Sequence, residues 1–465
     1  MKFSLGLSSL IGAVTIVEAA SEGYPLKKPY SQDAVEQYNK LRFLGTTGPY
    51  VSFEGYGISP ETPYNCEVTQ AHLFSRHFER YATASTGASN KKIIEKLKNI
   101  TVSEYVGPLA FLKDYEYYVK DSAYLELESE NGYYSGLADG YNLGNQLRAK
   151  YSHLFDGESV HPVFASSKTR VVESAQAFAK GFFGRNYTDL ASIQPVSESA
   201  KMGANTLTSS KACVNYNSST HDDIVSQFNQ SYLDQAAIRL NYQSPGFNLT
   251  GSDVSSLLSY CGFELNVRGF SPVCEIFTHD ELVSFAYAKS LAYYYESGPG
   301  YSEITGPMGY VYANSTYTLM EQGESYPYNL TFSFSHDSNF ENFLTILGLF
   351  NGEYDMIPDY IDLQHPWKVS QLVPMGARLI HEKLQCTDYS TNKTEDYVRI
   401  LLNDAVIPIP DCQDGPGFSC PLDGYKEVID SNLGNTTYVE ACGVNSTYPQ
   451  YTSFYWDWDV TFANN

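Results

Sequence analysis

Three passages along the chain share one pattern of apolar and polar positions. CEVTQAHLFS (66–75) reads as a strand and runs straight into Arg76 and His77. HPVFASSKT (161–169) is a short apolar run that meets Arg170, and RVVESAQAFAKGFFG then sets Val171, Ala175, Phe178 and Phe182 at helical spacing. TFSFS (331–335) alternates Phe332 and Phe334 with hydroxyls, delivers His336-Asp337, and gives way to a second helical pattern at Phe340, Phe343, Leu344 and Leu347. Strand, polar turn and helix, repeated, predict an open α/β sheet that gathers ligands at the carboxyl ends of its strands. The helix N-termini there offer free N–H groups and a favourable dipole to an anion. Arg170 is on the wrong end of its helix for stability, which favours a role as an anion ligand.

Residues 196–299 have a different pattern. HDDIVSQFNQSYLDQAAIRLNY, SDVSSLLSYCGFEL and THDELVSFAYAKSLAYYYE each read as a helix with a Ser or Thr start. The expected organisation is a signal peptide over 1–19, an α/β domain in two segments, 20–195 and 300–465, and a mostly helical insertion over 196–299 capping the site.

The signal peptide rests on Lys2, an apolar run from Leu5 to Val17, and the small residues Ala19-Ala20. Ten N-x-S/T sequons agree with export and predict N-glycans: Asn99, Asn186, Asn217, Asn229, Asn248, Asn314, Asn329, Asn392, Asn435 and Asn445. Eight cysteines without a C-x-x-C pair fit four disulfides better than a metal site, although spacing leaves the pairing open. No later run is long and apolar enough for a membrane span. The expected place is secreted, extracellular or associated with the cell wall. Oligomeric state stays open, a homo-oligomer included.

Charge narrows the partners. With 30 basic and 53 acidic residues the net charge is −23, which repels nucleic acid and anionic membrane. A phosphate site in such a chain must work through local arginines. The stretch LFSRHFERYATAS supplies them, with Arg76, His77 and Arg80 inside five residues. Two guanidiniums around one imidazole suit an anion held against a nucleophile.

Three His-Asp dipeptides occur, and two have structural readings. Thr278 and Glu281 bracket His279-Asp280 as a capping box, and His221-Asp222 stands at another helix start. His336-Asp337 differs in ending an alternating aromatic strand. His72, His153, His161, His365 and His381 show no metal-ligand spacing and read as structural.

The cluster at 76–80 resembles the R-H-G-x-R-x-P signature of the histidine acid phosphatases. Similarity to secreted fungal acid phosphatases and phytases extends through FASSKTR, GANTLTSSKAC, NVRGFSPVCEIFTHDELV, FSFSHDSNF, VPMGARLIHEKLQC, YVRILLNDAVIPIPDCQDGPGFSC and YWDWD. The resemblance implies a phosphoglycerate-mutase-like doubly wound sheet domain with a smaller helical domain. It implies a phosphomonoester hydrolase without cofactor or metal, working through a phosphohistidine on His77. Arg76, Arg80, Arg170 and His336 would bind the phosphate, and Asp337 would protonate the leaving group. It also implies the pairs Cys66–Cys386, Cys213–Cys442, Cys261–Cys274 and Cys412–Cys420. The residues themselves fit that chemistry: flanking arginines lower the pKa of His77 and keep it nucleophilic in acid, while a protonated Asp337 predicts an acidic optimum.

Two positions depart from the signature. Phe78 stands for glycine and Ala82 for proline. A positive φ at 78 would strain phenylalanine, and a ring near the phosphate would either crowd it or turn aside. The alternative function is therefore a catalytically impaired or redirected secreted or cell-wall protein on the same fold. Phytate as a substrate would want further cations around the mouth, for which Lys91 and Lys92 are candidates.

Overall fold

In the computed structural model, residues 39–458 are described. The expected signal peptide, 1–19, lies outside them. The main compact body begins at Leu41.

An eight-stranded mixed sheet runs β3-β2-β4-β1-β5-β6-β7, with β8 also on β6. The strands are β1 (Cys66–Arg76), β2 (His161–Ser166), β3 (Ala191–Val196), β4 (Leu330–Ser335), β5 (Arg378–Asp388), β6 (Lys393–Leu402), β7 (Ala405–Ile407) and β8 (Cys420–Pro421). β3, β2, β4 and β1 are parallel, and β5 joins β1 antiparallel. The register sets Arg76 opposite Ser335, and Ala165 opposite Phe334. Three parallel strands thus stop at one level, and each is followed by a residue singled out in the sequence.

The aromatic alternation of β4 does not mark a wet face. All six residues are buried. Leu330, Phe332 and Phe334 enter a core with Phe178 and Phe182. The hydroxyl side is satisfied internally: Thr331 meets His72 at 2.8 Å, Ser333 meets the Tyr455 hydroxyl at 2.8 Å, and Ser335 donates to the Leu207 carbonyl at 2.5 Å. A central strand covered on both sides can keep hydroxyls only when each finds a partner.

Helices cover both faces: α1 (Ala84–Lys98), α2 (Gly136–Tyr151), α3 (Thr169–Phe183), α4 (Ser231–Gln243), α5 (Gly251–Arg268), α6 (His279–Glu296), α7 (Ser302–Gln322) and α8 (Asp337–Ile346). α2 and α3 approach closely enough that a Cβ on Gly181 would sit 2.0 Å from the Tyr141 carbonyl oxygen. α4, α5 and α6 share a second core with Ile93, Ile94 and Leu97 of α1 and with Leu109 to Val119.

One expected helix is broken. Residues 221–242 form a single turn, Asp222–Val225, before α4 starts at Ser231. The Asn229 side chain accepts the Ser231 N–H at 2.9 Å, a local bond that competes with helix continuation. The capping box at Thr278 and Glu281 is formed. The chain contains the disulfides Cys66–Cys386, Cys213–Cys442, Cys261–Cys274 and Cys412–Cys420. Among the described residues no helix is long and apolar enough to cross a membrane.

Candidate active site

The site lies where β1, β2 and β4 end. β1 hands over Arg76 and His77, and the following turn supplies Arg80. α3 begins beyond β2 with Arg170 as its second residue, and its N-cap residue Lys168 makes no side-chain cap, so N–H groups are left open at this end. β4 hands over His336 as N-cap of α8 and Asp337 as its first residue. The structure brings all six together.

The backbone around His77 is tied to two distant segments. Arg76 N–H donates to the Ala377 carbonyl at 2.8 Å, His77 N–H to that of Ser335 at 3.0 Å, and Gly376 N–H to that of His77 at 2.9 Å. The His77 ring is fixed as well. Its Nδ1 is 2.9 Å from the Phe78 carbonyl oxygen, which can only accept, so Nδ1 carries the hydrogen. Arg80 Nε–H then points at the lone pair of Nε2 from 3.4 Å. Burial, followed by the charges of Arg80, Arg76 and Arg170, holds the pKa of His77 well below the ordinary histidine range. The ring is a neutral base with its free nitrogen turned toward cations.

The arginines are held differently. Arg76 is buried; Nη1 donates to the carbonyls of Thr46 (2.7 Å) and Val373 (2.6 Å), and Nη2 to Asp337 Oδ2 at 2.9 Å. Arg80 donates to the Tyr81 carbonyl at 2.9 Å, and burial pulls its pKa down only to about 10, so it stays charged. Arg170 Nη2 stands 3.4 Å from His336 Nδ1. Its buried Nε has no hydrogen-bond partner among the described residues, and neither has that of Arg76. Buried charged donors without partners are costly, and a bound anion would satisfy them.

His336 Nε2 sits 2.7 Å from Glu198 Oε1 and 3.1 Å from Ser166 Oγ. Burial alone would raise Glu198, but the bond and charge of His336, with Ser166, pull it down to about 2. The carboxylate therefore stays ionised and fixes the ring. Burial would likewise raise Asp337, yet Arg76, then His336 and Arg80, outweigh it and hold its pKa below the usual carboxylate value. These charges favour the ionised form of Asp337.

Phe78 is resolved by its surroundings. It is absent from the residues with positive φ, so the backbone is unstrained there. Its ring is 1% exposed and packs into the core with Phe178 and Phe334, beneath the site rather than in it. Ala82 is fully buried. Lys91 and Lys92 are exposed on α1, where Lys91 faces Glu95 at 3.8 Å.

Sequence reasoning missed the supporting groups. Glu128 is completely buried beside His77, its Oε1 3.9 Å from His77 Nδ1. Ser174 accepts the Phe78 N–H at 3.1 Å and donates to Glu128 at 2.7 Å. Ser174 lies one turn beyond Arg170, so helical spacing offered a signal; Glu128 and Glu198 lie on other segments and gave none. The five remaining histidines are structural; His161, for example, bonds the Leu330 carbonyl at 2.8 Å, and His381 stacks on Phe343. Among the described residues no group of three or more His, Cys, Asp or Glu side chains is gathered as a metal site would require.

Fold and site define an α/β enzyme of the phosphomonoester hydrolase class. The chain belongs to the Histidine phosphatase superfamily (branch 2), whose profile matches residues 67–403. It is 42% identical over 439 residues to the acid phosphatase PHO1 of Komagataella pastoris, covering 92% of each chain. It is 39% identical over 465 residues to the phytase PHO112 of Candida albicans, covering 98% of each. The crystal structure of the phytase from D. castellii superimposes with a TM-score of 0.87, at 39% identity and 92% coverage of both chains.

Proposed function

We propose that this phosphomonoester hydrolase is an exported, N-glycosylated acid phosphatase acting through a phosphohistidine on His77, with phytate among its substrates. The observation that carries the reading is the His77 ring itself. Nδ1–H is engaged by the Phe78 carbonyl, and Nε2 presents its lone pair 3.4 Å from Arg80. Nε2 attacks phosphorus as the ester P–O bond breaks, and Asp337 gives its proton to the leaving oxygen. Water then attacks phosphorus, the N–P bond breaks, and the water proton returns to Asp337. Arg76, Arg80, Arg170 and His336 surround the phosphoryl oxygens and meet the charge that builds on them.

Asp337 must be protonated for the first step, while the cations around it favour its ionised form. A phosphate between Arg76, Arg80 and His336 offsets those charges and raises the Asp337 pKa. Substrate binding thereby prepares its own acid. Phytate as a substrate rests on the similarity to proteins named phytases. Export rests on the leader-like N-terminus, the sequons and the disulfides. The buried Phe78 ring removes the main support for a blocked site.

The test is p-nitrophenyl phosphate and phytate hydrolysis by the purified glycoprotein from about pH 2.5 to 7, with EDTA and with His77→Ala as control. Turnover that peaks in acid and vanishes in the variant supports the reading; no turnover from folded protein refutes it.

A further inference from the structure

Away from the phosphate site, a groove of about 470 Å³ opens between α7 and the C-terminal segment. One wall is a single stripe of α7, Tyr310, Asn314, Thr318 and Gln322, spaced four residues apart; Tyr451 and Trp456 stand on the other side. None of the lining residues is charged, in a chain that is 18% charged. No lining side chain supplies a cation for a phosphorylated ligand, and the neighbouring Lys426 is engaged with the Tyr310 hydroxyl at 3.1 Å and with Asp430. Aromatic faces interleaved with amides and hydroxyls suit a neutral sugar, whose C–H faces pack on rings while its hydroxyls exchange hydrogen bonds.

The aromatic groups are already held. Trp456 Nε1–H donates to Gln322 Oε1 at 2.7 Å, which orients the indole and leaves the Gln322 amide hydrogens available. The Tyr310 hydroxyl donates to Asp430 at 2.8 Å. Tyr451, by contrast, is 74% exposed, a large ring that the folded chain leaves uncovered.

The groove also contains a point of attachment. Asn314 begins the sequon Asn314-Ser315-Thr316, and it alone of the ten sequon asparagines is half-buried; the other nine are exposed. Its side-chain amide makes no hydrogen bond among the described residues, so Nδ2 is unencumbered in the wall. A sugar tethered there is present at an effective concentration in the millimolar range, which fills a site too open to capture free sugar.

We propose that this groove seats the first sugars of an N-linked oligosaccharide on Asn314, packed against Tyr451 and Trp456. The glycan then bridges α7 and the C-terminal segment as part of the folded surface, unlike glycans at the exposed sequons. The inference rests on the export reading above.

The experiment is site-resolved glycopeptide mass spectrometry of the full chain secreted from yeast, before and after endoglycosidase H digestion of the native and the denatured protein. The expected result is an occupied Asn314 trimmed at least tenfold more slowly than the exposed sites in the native protein, and at the same rate once denatured. Tyr451→Ala with Trp456→Ala should abolish the native protection while phosphatase activity is unchanged. Exposed sequons occupied with Asn314 empty, or Asn314 trimmed as fast as the rest, overturns the groove proposal alone. No occupied sequon at all overturns the export reading and this proposal with it.

Discussion

The Phe78 ring fills the space that a side chain on Gly376 would need: a Cβ there would stand 2.9 Å from Phe78 Cδ1. Gly376 has φ +71°, and its N–H holds the His77 carbonyl at 2.9 Å. Gly140 yields on the other side, where a Cβ would lie 3.0 Å from the ring. The missing signature glycine is thus matched by two glycines elsewhere, and the ring supports the His77 loop from below. Phe78→Gly should lose on the order of 3–5 kcal/mol of stability with no gain in turnover. Urea denaturation alongside kcat checks this; a faster and equally stable variant would show that the ring obstructs the site.

His77→Ala should keep the fold and retain less than about 1% of wild-type kcat, the usual result of deleting a nucleophile. Activity above that level, from protein with an unchanged melting transition, would place the nucleophile elsewhere.

Asp337→Asn tests the proton donor through the leaving group. An alkyl phosphate should slow by about 10²-fold or more, and p-nitrophenyl phosphate by less than about tenfold, because nitrophenolate leaves without a proton. Equal losses on both would remove Asp337 from the role.

The pH profile follows from His77. Its folded pKa lies well below the ordinary value of 6.5, through burial and then Arg80, Arg76 and Arg170. The ring stays neutral as pH falls through 6.5, so kcat/KM should show no loss from its protonation until well below that value. A limb at the ordinary histidine pKa, measured with p-nitrophenyl phosphate, would contradict the electrostatics of the site.

Glu341, one turn beyond Asp337 on α8, is buried and has its pKa raised well above the usual value by desolvation and then by Asp337. In the folded chain it keeps its proton where the unfolded chain releases it. Stability tied to this group is therefore complete below the ordinary carboxyl pKa and declines as pH rises, by at most about 1.4 kcal/mol per pH unit. Glu341→Gln should match the wild type near pH 4 and exceed it near pH 7. Equal effects at both pH values, read from urea midpoints, would exclude an ionisation origin.

The sequence made the site's chemistry legible because its parts are local. Arg76, His77 and Arg80 share one turn, Arg170 opens a helix, and His336-Asp337 ends a strand. What holds them is not local. Glu128 reaches His77 from a loop about fifty residues on, and Glu198 reaches His336 from beyond β3; no periodicity joins such segments. The Phe78 question could not be decided from the chain alone, because its answer lies in Gly140 and Gly376, each remote from the motif.

The loop that carries His77 depends on segments far along the chain. Its backbone is fixed by bonds to Ser335, Gly376 and Ala377, and the strand that carries it is bonded at its far end to Cys386, 320 residues along the chain. A nascent or truncated polypeptide that lacks β4 and β5 contains every residue of the Arg76–Arg80 motif and still has no seat for it. Such fragments should not release phosphate, so hydrolysis should begin only once the chain extends through β5.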